Sequence, residues 1–422
     1  MSAAGEAPAP ARHTGSGSPL RIAIVGAFPF PLAQGSQVFA RDQARALQAA
    51  GADVSLLCYG RGEGAEPDNL RVLRISRAVS PRSLRAGPNL VKPLADACLA
   101  ALLVRTKRGV GFDAVLAHNV EAAVVALATR PLHHAPVIYV AHTLMGQELS
   151  SYRLASDGSG AETRRGLVDR ALDACGRALD ASLARRCDAL LALSRATADA
   201  LGPRVGVGRC IEVIPPGLAP GPSPSPAAID AACARHQLEP GRFALYSGNL
   251  DGYQDLGDLA ETARSVAPLP VVVATHGSEA ACDAFMRRHA GLLRVLRVDA
   301  EEARLLVFAC AVALLPRHRP GGFPIKLLTY MEAARAIVAR RSVADGFDHG
   351  ESAWLLGADD GAGHMADAVK EITSSPELAR RLGRGARALL ERRHGSRAVG
   401  AQTLALVRGA MRTRTEVGNA AV

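Results

Sequence analysis

Arg317, Arg319 and Lys326 surround a glycine pair, Gly321-Gly322, within the segment Pro316–Glu332. An apolar run, Ala311–Leu315, stops at Pro316, and behind Pro324 the residues Leu327, Leu328 and Met331 recur at helical spacing. The order is strand, basic glycine loop, helix. Free N–H groups at the helix start and three nearby cations are predicted to face one anion, and a phosphate-bearing ligand suits that pattern. Taken alone, the segment also fits an ordinary strand-to-helix turn with solvated arginines.

A second set of candidates lies in the first half. His118 and His142 each follow an apolar run, Phe112–Ala117 and Pro136–Ala141, with Glu121 and Glu148 close behind. Ligands of open α/β sheets bind beyond the carboxyl ends of strands, which is where both histidines fall. Either one alone reads more readily as a structural or solvent-facing histidine; two at equivalent places raise the case for a site. Gly35-Ser36, ahead of the first helix, lets bare backbone approach a ligand, although it is not the Gly-x-Gly-x-x-Gly fingerprint and no acidic residue follows at the required distance. Gly248 and His276 occupy corresponding places in the second half. No Asp-x-Asp occurs, so no metal requirement is expected.

The elements that must position these residues alternate. In the first half, strands are predicted at 20–27, 53–59, 112–117, 136–141, 189–194 and 211–214. The first helix ends near Ala50 with Gly51 as its stop, and a long Arg-studded helix runs from Glu162 to about Cys187 behind a Gly/Ser-rich loop at 156–161. Buried parallel strands explain the continuous apolar runs. A Pro/Gly-dense stretch, 215–226, marks a domain boundary. Beyond it the alternation resumes, with strands at 243–246, 271–274, 293–298, 311–315 and 336–339 and helices at 256–267, 279–290, 300–309 and 324–334. Two terminal helices, Met365–Arg393 and Ala398–Arg412, close the chain. The expected organisation is a disordered tail (1–18), a Rossmann-like domain (19–215), a linker (216–240), a second Rossmann-like domain (241–393), and a helix with its tail crossing back (394–422). In this arrangement the strand ends of the two domains converge on one cleft.

Composition narrows the partners. The net charge of +10 comes almost wholly from arginine, since Lys92, Lys107, Lys326 and Lys370 are the only lysines. With arginine and alanine this abundant, a GC-rich genome accounts for the charge, and with 4% aromatic residues there is little to stack on bases, so nucleic acid is not an expected partner. Anionic small ligands or an anionic membrane surface fit better. The basic-flanked apolar segment at 82–108 is a candidate for peripheral contact with an anionic membrane surface, but such a segment is more often a helix packed on the sheet. Eight cysteines without a Cys-x-x-Cys pair imply a reducing cytoplasm and no structural zinc. No apolar run reaches the ~20 residues a bilayer requires, and residues 1–18 lack a signal sequence's apolar core.

The pieces around Pro29–Leu47, Val137–His142, Cys187–Ser194, Val213–Gly217, Leu245–Leu250 and Gly322–Met331, in their order and spacing, resemble glycosyltransferase family 4 of the GT-B fold from about residue 20 to 412. The resemblance implies an α/β protein of two facing Rossmann-like doubly wound domains. It further implies a nucleotide-sugar donor held mainly by the C-terminal domain, an acceptor (a glycan or lipid-linked hydroxyl) held mainly by the N-terminal domain, and retention at the anomeric carbon. No cofactor beyond the co-substrate is expected.

This chain departs from the family pattern at four charged donor contacts. Gly321 and Thr329 stand where the family's two glutamates should be, and Asn249 and Gln254 stand in place of an Arg and a Lys. The lost charges cancel in pairs. A family variant carrying Pro-x-Lys-Leu-x-Glu-Tyr-Met fits Pro324–Met331 except at Thr329, so Lys326 is expected to carry the diphosphate with the amides of Gly322 and Phe323 and with Arg317. Thr329 retains one hydrogen bond for the ribose, and Glu332, on nearly the same helix face, is a candidate substitute. His142 is expected to contact the transferred sugar, with His118 and Glu148 near the acceptor. Two other readings remain: a GT-B-shaped protein that binds a nucleotide sugar or a partner without turnover, and an epimerase or phosphorylase on the same fold.

Overall fold

The computed structural model describes residues 18–32, 34–64, 67–81, 91–146, 167–289, 291–318 and 322–420. Residues 1–17, the Gly/Ser loop at 156–161, Glu148, Arg319 and Gly321 lie outside the described residues.

The first half comprises β1 (Arg21–Pro29), α1 (Gly35–Ala49), β2 (Asp53–Tyr59), β3 (Arg71–Arg74), α2 (Lys92–Arg108), β4 (Ala114–His118), α3 (Asn119–His133), β5 (Val137–Ala141), α4 (Leu167–Arg186), β6 (Ala189–Ala192), α5 (Arg195–Leu201) and β7 (Cys210–Val213). Its seven strands form one sheet in the order β3-β2-β1-β4-β5-β6-β7, all pairs parallel. Along β1 successive side chains enter different cores. Ile22 and Ile24 join one apolar cluster and Ala23 and Val25 another, which is why the strand is apolar throughout.

The second half comprises α6 (Pro226–Arg235), β8 (Ala244–Ser247), α7 (Gly257–Val266), β9 (Val271–Thr275), α8 (Glu279–Arg288), β10 (Arg294–Arg297), α9 (Ala300–Ala309), β11 (Val312–Leu315), α10 (Lys326–Glu332), β12 (Ala336–Arg340), β13 (Trp354–Leu356), α11 (Ala362–Ser374), α12 (Pro376–Arg393) and α13 (Ser396–Ala420). Its sheet runs β10-β9-β8-β11-β12-β13, again wholly parallel. In both sheets the winding reverses once, between β1 and β4 and between β8 and β11. Such reversals open a crevice at the strand carboxyl ends. The fold is the expected pair of Rossmann-like domains.

Three local features differ from the expectation and a fourth, the packing of segment 92–108, follows it. Helix α6 occupies part of the stretch expected as linker: Ser225 caps it by accepting from Ala228 N, and it buries Ala232 and Cys233 beside α9. The expected helix 365–393 is two helices, because Ser375 caps the second one and Pro376 has no N–H to continue the first. Strand β3 carries an arginine at each end and is largely unburied, and β13 is only Trp354–Leu356, so neither offered the long apolar run that marked the others. Segment 92–108 is a packed helix: Ala95, Leu99 and Leu103 are buried, and α2 lies against α3 and the sheet.

The domains are joined at two crossings that bind each other. Leu218 N donates to His394 O at 2.8 Å, and Ser396 N donates to Leu218 O at 3.2 Å. Beyond this clasp α13 returns to the first domain and packs along α1. Gly400 permits the contact, since a Cβ there would stand 2.2 Å from Ala46 O.

Candidate active site

The loops leaving β8 and β11 meet beneath the start of α10. There Lys326 Nζ donates to Tyr246 Oη at 2.7 Å and to Gln254 Oε1 at 3.0 Å, and stands 4.1 Å from the centroid of the Tyr246 ring. Gln254 Nε2 donates to Asn249 Oδ1 at 2.8 Å, and Asn249 Nδ2 donates to Tyr253 Oη at 3.1 Å and to Asp251. The Arg317 guanidinium lies 5.3 Å from the centre of the Tyr253 ring. Two tyrosine rings thus carry two cations.

The polar bonds explain one departure from the family pattern. Gln254 offers Lys326 a carbonyl, whereas a lysine at 254 would press a second ammonium against the first. Burial, then the charge of Arg317, holds the Lys326 ammonium well below its ordinary pKa, and burial also lowers Arg317. An anion between them would relieve both.

The loop carrying Arg317 is latched. His318 N donates to Asp255 Oδ2 at 2.8 Å, and the His318 ring approaches Asp258 Oδ2 at 2.7 Å. Asp258 is held in turn by Arg340 at 2.8 Å, whose buried guanidinium also donates to the carbonyls of Pro316, Gly357 and Asp360.

The first domain meets this site closely. Gly322, at φ 47°, lies against the His142 carbonyl, where a Cβ would be 2.2 Å from the oxygen. Gly35, opening α1, is directly opposite Ile325, the residue before α10, with 3.8 Å between a Gly35 Cβ and Ile325 Cγ1. The amino ends of α1 and α10 therefore face each other across the cleft. A cavity of about 140 Å³ opens at the same junction, with Ser194, Gly322, Phe323 and Ser342 in its wall.

His142 and His118 are brought together. His142 Nε2 lies 2.9 Å from His118 Nδ1, and Phe39 packs on both rings at 5.0 and 5.4 Å. Parallel pairing places His118 beside Gly26 of β1 and Val140 of β5. Burial drives the pKa of His142 down to about 3 and that of His118 well below its ordinary value, so both are neutral. His118, expected near the acceptor, is wholly buried, and its Nδ1 is taken up by His142.

The remaining candidates are dispersed. Gly248 adjoins Lys326. Ser36 is half-buried in the first turn of α1, Thr329 is half-buried on α10, and His276 is exposed past β9. Phe323 is buried on the His394 ring at 5.0 Å. Glu332 departs from the expected ribose role: its buried carboxylate takes Arg304 at 2.8 and 3.1 Å and accepts from Gly221 N at 3.2 Å. Tyr246 lies within the Leu245–Leu250 piece but has no role assigned from sequence, and Tyr253, Asp255, Asp258 and Arg340 have none either. Among the described residues no three His, Cys, Asp or Glu side chains form a metal-holding group, and no helix is long and apolar enough to cross a membrane.

Comparison with known proteins agrees with this fold. Residues 33–220 match the sequence model of the family described as Glycosyltransferase Family 4. No curated protein sequence matches. Among solved structures, Anabaena Alr3699/HepE in complex with UDP and glucose is 16% identical with a TM-score of 0.70, over 92% of this chain and 99% of that one. Sucrose-phosphate synthase (tll1590) from Thermosynechococcus elongatus is 15% identical with a TM-score of 0.71, over 92% and 98%. WaaG, a glycosyltransferase involved in lipopolysaccharide biosynthesis, is 13% identical with a TM-score of 0.62, over 92% and 99%. At these identities the likeness is one of fold.

Proposed function

For a chain that matches glycosyltransferase family 4 over residues 33–220 and carries the GT-B fold, we propose a retaining glycosyltransferase that moves a hexosyl group from a nucleoside-diphosphate sugar to a hydroxyl acceptor. The observation that carries this reading is the pairing of Lys326 with Arg317 on the rings of Tyr246 and Tyr253, at the loop where Gly322 meets His142. That HepE was solved with UDP and glucose supports the choice of donor.

In this reading the diphosphate lies against Lys326, Arg317 and the amides of Gly322 and Phe323. Fixed charges there stabilise negative charge as it grows on the departing phosphate. With retention, the acceptor oxygen bonds to the anomeric carbon on the face from which the phosphate oxygen leaves. That oxygen is then the nearest base for the acceptor proton. His142 contacts the transferred sugar from the first domain, and Gly35-Ser36 and the residues near His118 and Glu148 border the acceptor. The reaction needs no metal, and the acceptor is a glycan or lipid-linked hydroxyl, as in bacterial polysaccharide assembly. Leu94, exposed on the cationic helix α2, suits peripheral contact with an anionic membrane.

A second reading, nucleotide-sugar binding without turnover, is favoured by one observation: Glu332 is engaged by Arg304, leaving Thr329 alone at the expected ribose position. A thermal-shift panel of UDP-, GDP- and ADP-sugars, followed by transfer assays on Lys326→Met, separates the two. The enzyme reading expects stabilisation by at least one donor and a tenfold to hundredfold loss of kcat/KM in the variant, from ~1.5–3 kcal/mol of charge-assisted hydrogen bonding. No stabilisation by any donor sinks both readings; stabilisation with no turnover leaves the second.

A further inference from the structure

His118 has one nitrogen with no partner among the described residues. Its ring is wholly buried, Nδ1 meets His142 Nε2, and Nε2 is left without a hydrogen bond. Both rings are neutral, so each carries a single N–H and the contact between them needs exactly one of the two facing nitrogens to hold a proton. If His142 donated from Nε2, the His118 proton would be forced onto Nε2 and would be a buried N–H with nothing to accept it. If His118 donates from Nδ1, its Nε2 is only an unused lone pair. Buried N–H groups without acceptors are the rarer of the two defects.

We propose that His118 is a positioning residue that donates from Nδ1 to His142 Nε2, and so fixes His142 as the Nδ1–H tautomer. The nitrogen of His142 left for a ligand is then a hydrogen-bond donor, suited to a sugar hydroxyl or ring oxygen and unsuited to taking a proton. Phe39, packed on both rings, keeps them from rotating apart. This deepens the reading of His142 as the contact to the transferred sugar and rests on it for its use in catalysis; the tautomer itself does not depend on that reading.

The test is a two-bond 1H–15N spectrum of 15N-histidine-labelled protein, with the two rings assigned through His118→Asn and His142→Asn. The wild type is expected to show His142 protonated at Nδ1 and bare at Nε2. In His118→Leu the bare His142 Nε2 should shift downfield as its lone pair loses its donor, and kcat should fall about tenfold with KM little changed, the share of one hydrogen bond. His118→Asn, whose amide N–H can replace Nδ1–H, should restore most of the rate. A wild-type His142 protonated at Nε2 overturns the proposal, as does a His142 Nε2 resonance that is unchanged in His118→Leu. Should the leucine variant fail to fold, the wild-type spectrum and the asparagine variant still decide. If no donor is turned over, the enzyme reading fails while the spectrum still judges the tautomer.

Discussion

Gly248 and Lys326 exclude any side chain between them: a Cβ on Gly248 would stand 2.6 Å from Lys326 Nζ and 2.9 Å from Tyr246 Oη. The loop after β8 is thus shaped to let the ammonium rest on the tyrosine. Gly248→Ala must displace Lys326, its flexible partner, before the backbone moves. Nucleotide-sugar affinity is expected to fall about tenfold or more by calorimetry, with a loss of about 1–3 kcal/mol in stability from overpacking. Wild-type affinity in this variant would contradict the assignment of Lys326 to the donor.

Donor binding should take up protons. Burial and Arg317 hold Lys326 below its ordinary pKa in the free protein, and a diphosphate beside it favours the charged form. Affinity should therefore fall with rising pH over the range, below the ordinary lysine pKa, in which the free ammonium gives up its proton. Calorimetry in buffers of different ionisation enthalpy should show net proton uptake in the wild type and less of it in Lys326→Met. Equal uptake in both would place the proton elsewhere.

Glu332→Gln should cost stability and spare the donor. The substitution breaks a buried carboxylate's pair with Arg304, itself partly exposed, and about 1–3 kcal/mol of unfolding free energy is expected to go with it. Donor KM should stay at the wild-type value. A raised KM with an unchanged melting temperature would return Glu332 to the ribose.

Acid should weaken the fold through buried histidines. An unfolded histidine protonates near pH ~6.5, whereas burial lowers His142 to about 3 and His394 to about 4. Between those values the unfolded chain binds more protons, so their contribution is complete above pH ~6.5 and is lost as pH falls toward about 4 for His394 and about 3 for His142. Near pH ~5 each histidine costs about 2 kcal/mol. His394→Gln should flatten the dependence of Tm on pH; a Tm that does not change between neutral pH and pH ~5 in the wild type would be inconsistent with neutral buried rings.

The strands and their order of use were legible because parallel strands buried on both faces must be apolar without interruption, as residues 271–274 and 336–339 are. Pro316 and Ser375-Pro376 show the limit of that reading. A proline after an apolar run ends it plainly, but one inside a helical pattern marks a new start only once a cap is recognised at Ser375. In the site, single residues were legible and pairs were not. Lys326 was recognised from its motif, but its bonds to Gln254 and Tyr246 join residues 72 and 80 positions away. The same holds for His118 and His142, which only the adjacency of β4 and β5 brings to 2.9 Å. Glu332 was misread for a related reason. Helix periodicity gave its face, while its partner Arg304 comes from α9.

The clasp at Leu218 and His394, with α13 laid along α1, also sets an order on synthesis. Phe39, Ala44 and Leu47 of α1 share one apolar cluster with Val399, Leu404 and Val407 of α13. A ribosome delivers the amino end first. The first domain therefore emerges with α1 uncovered and must wait, through the making of the whole second domain, for the helix that covers it. Its apolar face is open to chaperones for that interval, and a chain cut short before residue 396 never closes it.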